Sequence, residues 1–285
     1  MESLKQQPEN QRDTAQPVSQ QISDNSQIQQ PSVEVSPILP EPEKKVWGGW
    51  ATAGIGMVIL VAFFLAQLFI TFIFLIVNPD LIANPADLTK IASNGLLLSV
   101  ATIASAIAGS GLILVFIKAR RNFSIAEYLG IRPLPIKMIF LLSGLTVVIL
   151  ILSELAGTYL GQGTDNNTNF IVEAYRTSVS PVLLWIAVVL FAPIFEESFF
   201  RGFLFVGFTR SVIGPTGAII LTAFLWSALH IQYNWFGMMV IFILGIVLGV
   251  IRQKTRTLWG SITVHAFWNL LTMIGTVLYA NGVIK

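Results

Sequence analysis

Cysteine is absent from this 285-residue chain. Disulfides, thiolate-bound zinc, iron–sulfur clusters and thiol nucleophiles are excluded with it. Charge is scarce as well. Asp, Glu, Lys and Arg make up 11% of the residues, against about 25% in a soluble domain. The scarcity is uneven, because eleven of the 32 charged residues lie in the first 45 and only 21 in the last 240. Histidine occurs twice, at His230 and His265. No basic block interleaved with aromatics stands in a polar setting, so nucleic-acid binding is not expected. The first 45 residues lack an apolar core segment, so they do not read as a secretory signal peptide.

What the chain does have is long apolar runs, with 54% hydrophobic residues overall. A soluble globule of this composition would lack the polar surface to stay dispersed. The expected fold is therefore all-α: a polytopic transmembrane helical bundle of about seven spans behind a disordered N-terminal tail. Residues 1–45 are rich in Gln, Pro, Ser and acidic side chains and hold no aromatic residue. Such a segment cannot bury enough apolar area to offset its ordering entropy. Residues 46–285 form the expected membrane domain, with spans near 50–77, 91–117, 138–160, 181–208, 215–231, 235–251 and 258–279. With the tail inside, the cytosolic segments carry thirteen Lys and Arg and the opposite side three, Lys90, Arg176 and Lys285. That bias predicts a cytosolic N-terminus and a C-terminus outside.

Polar groups inside the spans stand out against this background. Asp80, Asp87, Glu127, Asp165 and Glu173 fall between spans. Glu154, Glu196 and Glu197 fall within them, as do both histidines. A charge at the centre of a membrane helix costs about 2.5–3.5 kcal/mol, so such residues face a bundle interior or a wet cavity. Glu197 and Arg201 are four residues apart, on one helix face, as an ion pair requires. Glu196 points about 100° away and is free for other work. His265 and Asn269 also share a face, and His230 comes from another segment. A Glu, two His and an Asn converging in a cavity can activate water and stabilise an oxyanion. The structural alternatives are a packed interior His230, an Arg201 that only holds Glu197, and an Asn269 that bonds helix to helix. Glu154 is either structural or faces an aqueous pocket.

Other intramembrane chemistries do not fit. The histidines lie 35 apart, so a His-Glu-x-x-His zinc helix is ruled out. The spans hold no Asp for a two-aspartate protease. Ser110 and Ser261 lack a full Gly-x-Ser-Gly setting, and a serine nucleophile would leave the Glu pair unexplained.

Three motifs then carry a resemblance. Ala192-Pro193-Ile194-Phe195-Glu196-Glu197-Ser198-Phe199-Phe200-Arg201-Gly202 resembles the Glu-Glu-x-x-x-Arg motif of the CPBP family. This is the CAAX-protease and bacteriocin-processing (Abi) group of intramembrane proteases. Trp226-Ser227-Ala228-Leu229-His230 resembles its Phe-x-x-x-His motif, with Trp in place of Phe. His265-Ala266-Phe267-Trp268-Asn269 resembles its His-x-x-x-Asn motif. The resemblance covers about residues 180–280.

It implies an intramembrane endopeptidase acting on membrane-associated protein or peptide substrates, of CAAX or leader-peptide type. It implies Glu196 as general base, Glu197 and Arg201 as its support, and His230 as partner in activating water. His265 and Asn269 are then the oxyanion residues. Glu196, His230 and His265 are also candidate ligands for a divalent metal such as zinc, and the same residues suit a metal-free water. Helix rise places Glu196 about 22 Å from the outer side and His265 about 10–12 Å from the cytosolic side, so the cavity is expected to face the cytosol. The rival readings are a non-proteolytic membrane scaffold or immunity factor, and a proton-coupled transporter built on the buried carboxylates.

Overall fold

The computed structural model describes residues 46–83, 91, 93–121, 123–162 and 165–284. The expected tail, together with Asp87, Lys90 and Lys285, lies outside the described residues. The chain forms α1 (Gly49–Val77), the short α2 (Asp80–Ala83), α3 (Gly95–Ala119), the short α4 (Ile125–Leu129), α5 (Ile136–Tyr159), α6 (Asp165–Arg176), α7 (Pro181–Thr209), α8 (Gly214–Ala228), α9 (Trp235–Thr255) and α10 (Leu258–Ala280). No strand occurs among the described residues. Six helices, α1, α3, α5, α7, α9 and α10, are long and apolar enough to cross a membrane. The protein is an integral, multi-pass membrane protein.

The expected count of about seven spans is close to these six, and the helix expected near 215–231 is the one that comes out short. Helix α8 has only 15 residues and stops at Ala228. That is about 22 Å of helix, short of a ~30 Å hydrocarbon core. Residues 229–234 turn instead, and the Asn234 side chain accepts from Gly237 N–H at 2.9 Å to start α9. His230 therefore sits in this turn and not on a helix. Other polar residues between spans mark further helix starts. Asn94 caps α3, and Ser124 with Glu127 forms a reciprocal capping box on α4.

The bundle has two distinct ends. The basic end carries residues 120–135, 210–213 and 256–257. There Arg252 donates from Nε to Arg201 O and from Nη2 to Leu129 O, both at 3.1 Å, and the Trp47 ring lies under the Arg120 guanidinium. The opposite end carries 160–180 and 229–234. Helix α6 lies there, where Thr177 bridges Gly95 N–H and Ser93 O. Apolar side chains line the outside of the bundle, and Phe69, Phe72 and Ile76 of α1 are all more than 60% exposed. Lipid is the solvent for such a face.

Glycines set the close approaches inside. A side chain at Gly245 would press on Ala223 of α8 and on the Arg201 guanidinium, and one at Gly249 on Ile219. Small residues at these positions let α8 and α9 pack backbone to backbone.

Helix α7 is not uniform. It widens to an i→i+5 hydrogen-bond pattern over Ile186–Phe191 and again over Ser198–Leu204. Between the two wide stretches lies Ala192–Glu197, with Pro193 at its start. Such widened turns are uncommon and cluster at functional sites.

Candidate active site

The centre of the site is an ion pair. Arg201 Nη1 donates to Glu197 Oε1 at 2.9 Å, and both side chains are fully buried. Arg201 Nη2 donates to Gly245 O at 3.0 Å, which the missing side chain at Gly245 permits. The guanidinium also lies over the Trp226 ring, 4.6 Å from its centroid, a cation–π contact that strengthens away from water. The i,i+4 spacing read from the sequence is realised even though a widened turn begins at Ser198.

His265 joins Glu197 from α10. Its Nδ1 lies 2.9 Å from Glu197 Oε1. A carboxylate only accepts, so Nδ1 carries the proton. The other nitrogen, Nε2, then points at Glu196, 3.9 Å from Oε2. Glu197 thus receives both Arg201 and His265 on one oxygen and fixes the direction of the imidazole.

Glu196 faces the other way, as its position on the helix requires. Its side chain keeps 21% exposure where that of Glu197 keeps none. Trp226 Nε1 donates to Glu196 Oε2 at 2.5 Å. A phenylalanine at this motif position has no N–H to offer, so the Trp changes the chemistry as well as the shape. The sequence signal was present in the indole itself, and its reach to Glu196 depends on how α8 packs on α7. Trp226 also meets both histidine rings edge-on, His230 at 5.2 Å and His265 at 5.0 Å.

His230 lies one turn beyond Trp226. Its Nδ1 is 2.7 Å from Trp226 O. A carbonyl only accepts, so Nδ1 again carries the proton and Nε2 is left as an acceptor. His230, His265, Glu196, Trp226 and Asn269 all line one cavity of about 290 Å³.

Asn269 is placed differently from the oxyanion role alone. Its Nδ2 donates to Val188 O at 2.9 Å. In the widened stretch, Ala192 N–H reaches back five residues to Ala187 O. The next bond in that series would run from residue 193 to Val188 O, and Pro193 has no N–H to make it. Asn269 supplies the donor that Pro193 lacks, and one N–H of its amide remains.

The cavity brings in groups that motif reading did not place. Glu154 lies on its wall, which settles its two readings in favour of a pocket-facing residue, and Gln162, Gln232 and Tyr233 line it too. These come from α5 and from the segments between helices, so no local spacing links them to Glu196. The lining of the cavity runs from Glu196 and His265 to Leu98, Ser153 and Gln232, in the half of the bundle away from residues 120–121 and 256–257.

The three candidate metal ligands were tested against this geometry. Among the described residues, no three His, Asp or Glu side chains are gathered closely enough to hold an ion. Trp226 also occupies the Glu196 oxygen that faces His265. The set does not fit a metal centre.

Comparison with known proteins places this region. Residues 178–271 match the family described as Type II CAAX prenyl endopeptidase Rce1-like. The match is consistent with the resemblance to the CPBP family, and all three motifs fall within the matched residues. No curated protein and no solved structure matches the chain.

Two stability experiments test this architecture. Arg201→Ala leaves Glu197 buried without its cation and is expected to cost about 3–5 kcal/mol, seen as a lower unfolding temperature in detergent. Adding Glu197→Gln should recover part of that loss, since the stranded charge is then gone. Asn269→Ala strands the Val188 carbonyl at about 1–3 kcal/mol. Pro193→Ala restores a backbone donor, so the double variant should lose less than Asn269→Ala alone. Equal losses would show that Asn269 does not serve that carbonyl.

Proposed function

We propose that the protein is an intramembrane endopeptidase that hydrolyses a peptide bond of a membrane-associated protein or peptide through water activated by Glu196. The observation that carries this reading is the division of labour between adjacent carboxylates. Glu197 is sealed in the core by Arg201 and His265, while Glu196 reaches the cavity. The Rce1-like match over the same residues supports peptide-bond cleavage of the CAAX-protease type.

In this mechanism a cavity water lies between the free oxygen of Glu196 and the Nε2 of His230. Glu196 takes the proton as the water oxygen attacks the peptide carbonyl. Protonated on Nε2 as well as on the Nδ1 that Glu197 holds, His265 joins the remaining N–H of Asn269 in stabilising the oxyanion. Glu196 then passes its proton to the departing amine. Trp226 holds the base in line by its bond to Oε2, and Arg201 acts through Glu197 as a positioning residue.

Glu196→Gln removes the base and keeps the volume. It should abolish cleavage, by at least about a hundredfold, at unchanged abundance. Protein termini compared between membranes of cells carrying the wild type or this variant would show peptide ends made only by the wild type. Identical termini at equal abundance would overturn the reading in favour of a non-proteolytic scaffold. Trp226→Phe keeps the ring and loses the N–H, so Glu196 is released from its position. The cleavage rate should fall by roughly tenfold to a hundredfold with little change in substrate affinity, as measured by separating kcat from KM.

A further inference from the structure

We infer that a second cavity, at the basic end of the bundle between α4 and the ends of α7 and α9, binds the phosphate of an anionic membrane lipid. It shares no lining residue with the candidate active site, and the inference stands without the peptidase reading.

The cavity measures about 390 Å³. Among its described lining residues, Arg132, Arg210, Arg252 and Arg256 face one carboxylate residue, Glu127. One oxygen of Glu127 already accepts the Ser124 N–H at 2.9 Å, in the cap of α4. Arg132 stands near enough to Arg252 to repel it. An anion shared between such cations relieves their repulsion.

The second observation is a buried donor left over. Arg252 is only 8% exposed. Its Nε donates to Arg201 O and its Nη2 to Leu129 O, both at 3.1 Å. These two carbonyls fix the plane of the guanidinium. Nη1 makes no hydrogen bond among the described residues, yet it is not sealed in the core as Arg201 Nε is. The space that Arg252 lines is this cavity. Tyr128, on the same wall, is 1% exposed, and its hydroxyl also lacks a hydrogen-bond partner among the described residues. The Trp47 backbone N–H approaches that hydroxyl without the geometry of a bond. Burial raises the Tyr128 pKa above the usual phenol range, so the proton stays on and can be donated.

A fixed guanidinium edge with further arginines around it matches the oxygens of a phosphate. Position favours a lipid as the source. The cavity lies where α7 and α9 end and α8 begins, level with the ends of the membrane helices. Val46, Phe205, Val206 and Pro215 give it an apolar wall, against which a glycerol and the first methylenes of an acyl chain can lie. Basic pockets between membrane helices hold lipid headgroups in this way. Arg252 also donates to Arg201 O, so an occupant held by Nη1 fastens α9 to α7 and should stabilise the bundle.

The full chain is purified in a nonionic detergent, and its unfolding temperature is followed against dioctanoyl phosphatidylglycerol, dioctanoyl phosphatidylcholine and inorganic phosphate. Phosphatidylglycerol should raise it saturably by several degrees, and the other two at equal concentration should not. Arg132→Gln combined with Arg256→Asn should raise the half-saturating concentration roughly tenfold or more. Both positions are exposed, and Asn tolerates the left-handed backbone of Arg256, φ 55. Lys118→Gln combined with Arg121→Gln removes equal charge from the same end outside the cavity, and should change that concentration by less than about twofold. Unfolding without lipid shows that each variant is folded, and Arg132→Gln alone carries the comparison if the pair is not. Equal weakening by both pairs would overturn the site in favour of general attraction to a basic surface. An equal rise with inorganic phosphate would overturn the lipid as its source. An equal rise with phosphatidylcholine, or none with phosphatidylglycerol, would overturn the inference outright. No readout needs peptide cleavage, so failure of the peptidase reading would be seen separately in the protein termini.

Discussion

The Glu197–Arg201 pair is the interaction on which the rest of the site depends. Two full charges sit in the core with no exposure. In a membrane there is no nearby water to relieve either one, so each must find all its partners within the protein. Glu197 therefore draws His265 from α10, and Arg201 draws Gly245 O from α9 and the Trp226 ring from α8. Three helices are tied to α7 by the needs of one ion pair. Arg252 extends the chain of contacts by donating to the Arg201 carbonyl and to Leu129 O, which reaches the basic end. The pair also fixes the imidazole of His265, through Glu197, so that its other nitrogen points at Glu196.

The same constraint explains the irregular backbone of α7. A proline within a membrane helix frees a carbonyl that lipid cannot satisfy. Here the helix widens before Pro193, which shifts the orphan to Val188, and Asn269 donates to it across the helix interface. An amide has two N–H groups, so repairing the helix and stabilising an oxyanion are compatible in Asn269.

Trp226 shows how a small departure from a motif acquires consequence through packing. Its aromatic ring does what a phenylalanine would do, closing the space between the histidines. Its N–H does more, holding one oxygen of Glu196. The short α8 is part of this arrangement. By ending at Ala228 it lets the 229–234 turn dip into the bundle, which brings His230 into the cavity wall beside Trp226.

Much of this was legible in the chain. Low charge and long apolar runs require a helical membrane bundle, because only helices satisfy every backbone group within one apolar segment. The Glu197–Arg201 pairing follows from a four-residue spacing, and the separate orientation of Glu196 follows from the 100° step of a helix. Both are local geometry, fixed by bonds along one strand of chain. The tertiary structure decided what depends on contacts between distant segments. It shortened the helix expected over 215–231 and moved His230 off it. It gave Trp226 a carboxylate to hold, Asn269 a carbonyl to repair and Glu154 a place in the cavity wall. Periodicity tells which side of a helix a residue occupies. Which neighbour that side meets, and toward which end the space between helices opens, is set by the packing of helices whose contacts lie tens of residues apart in sequence.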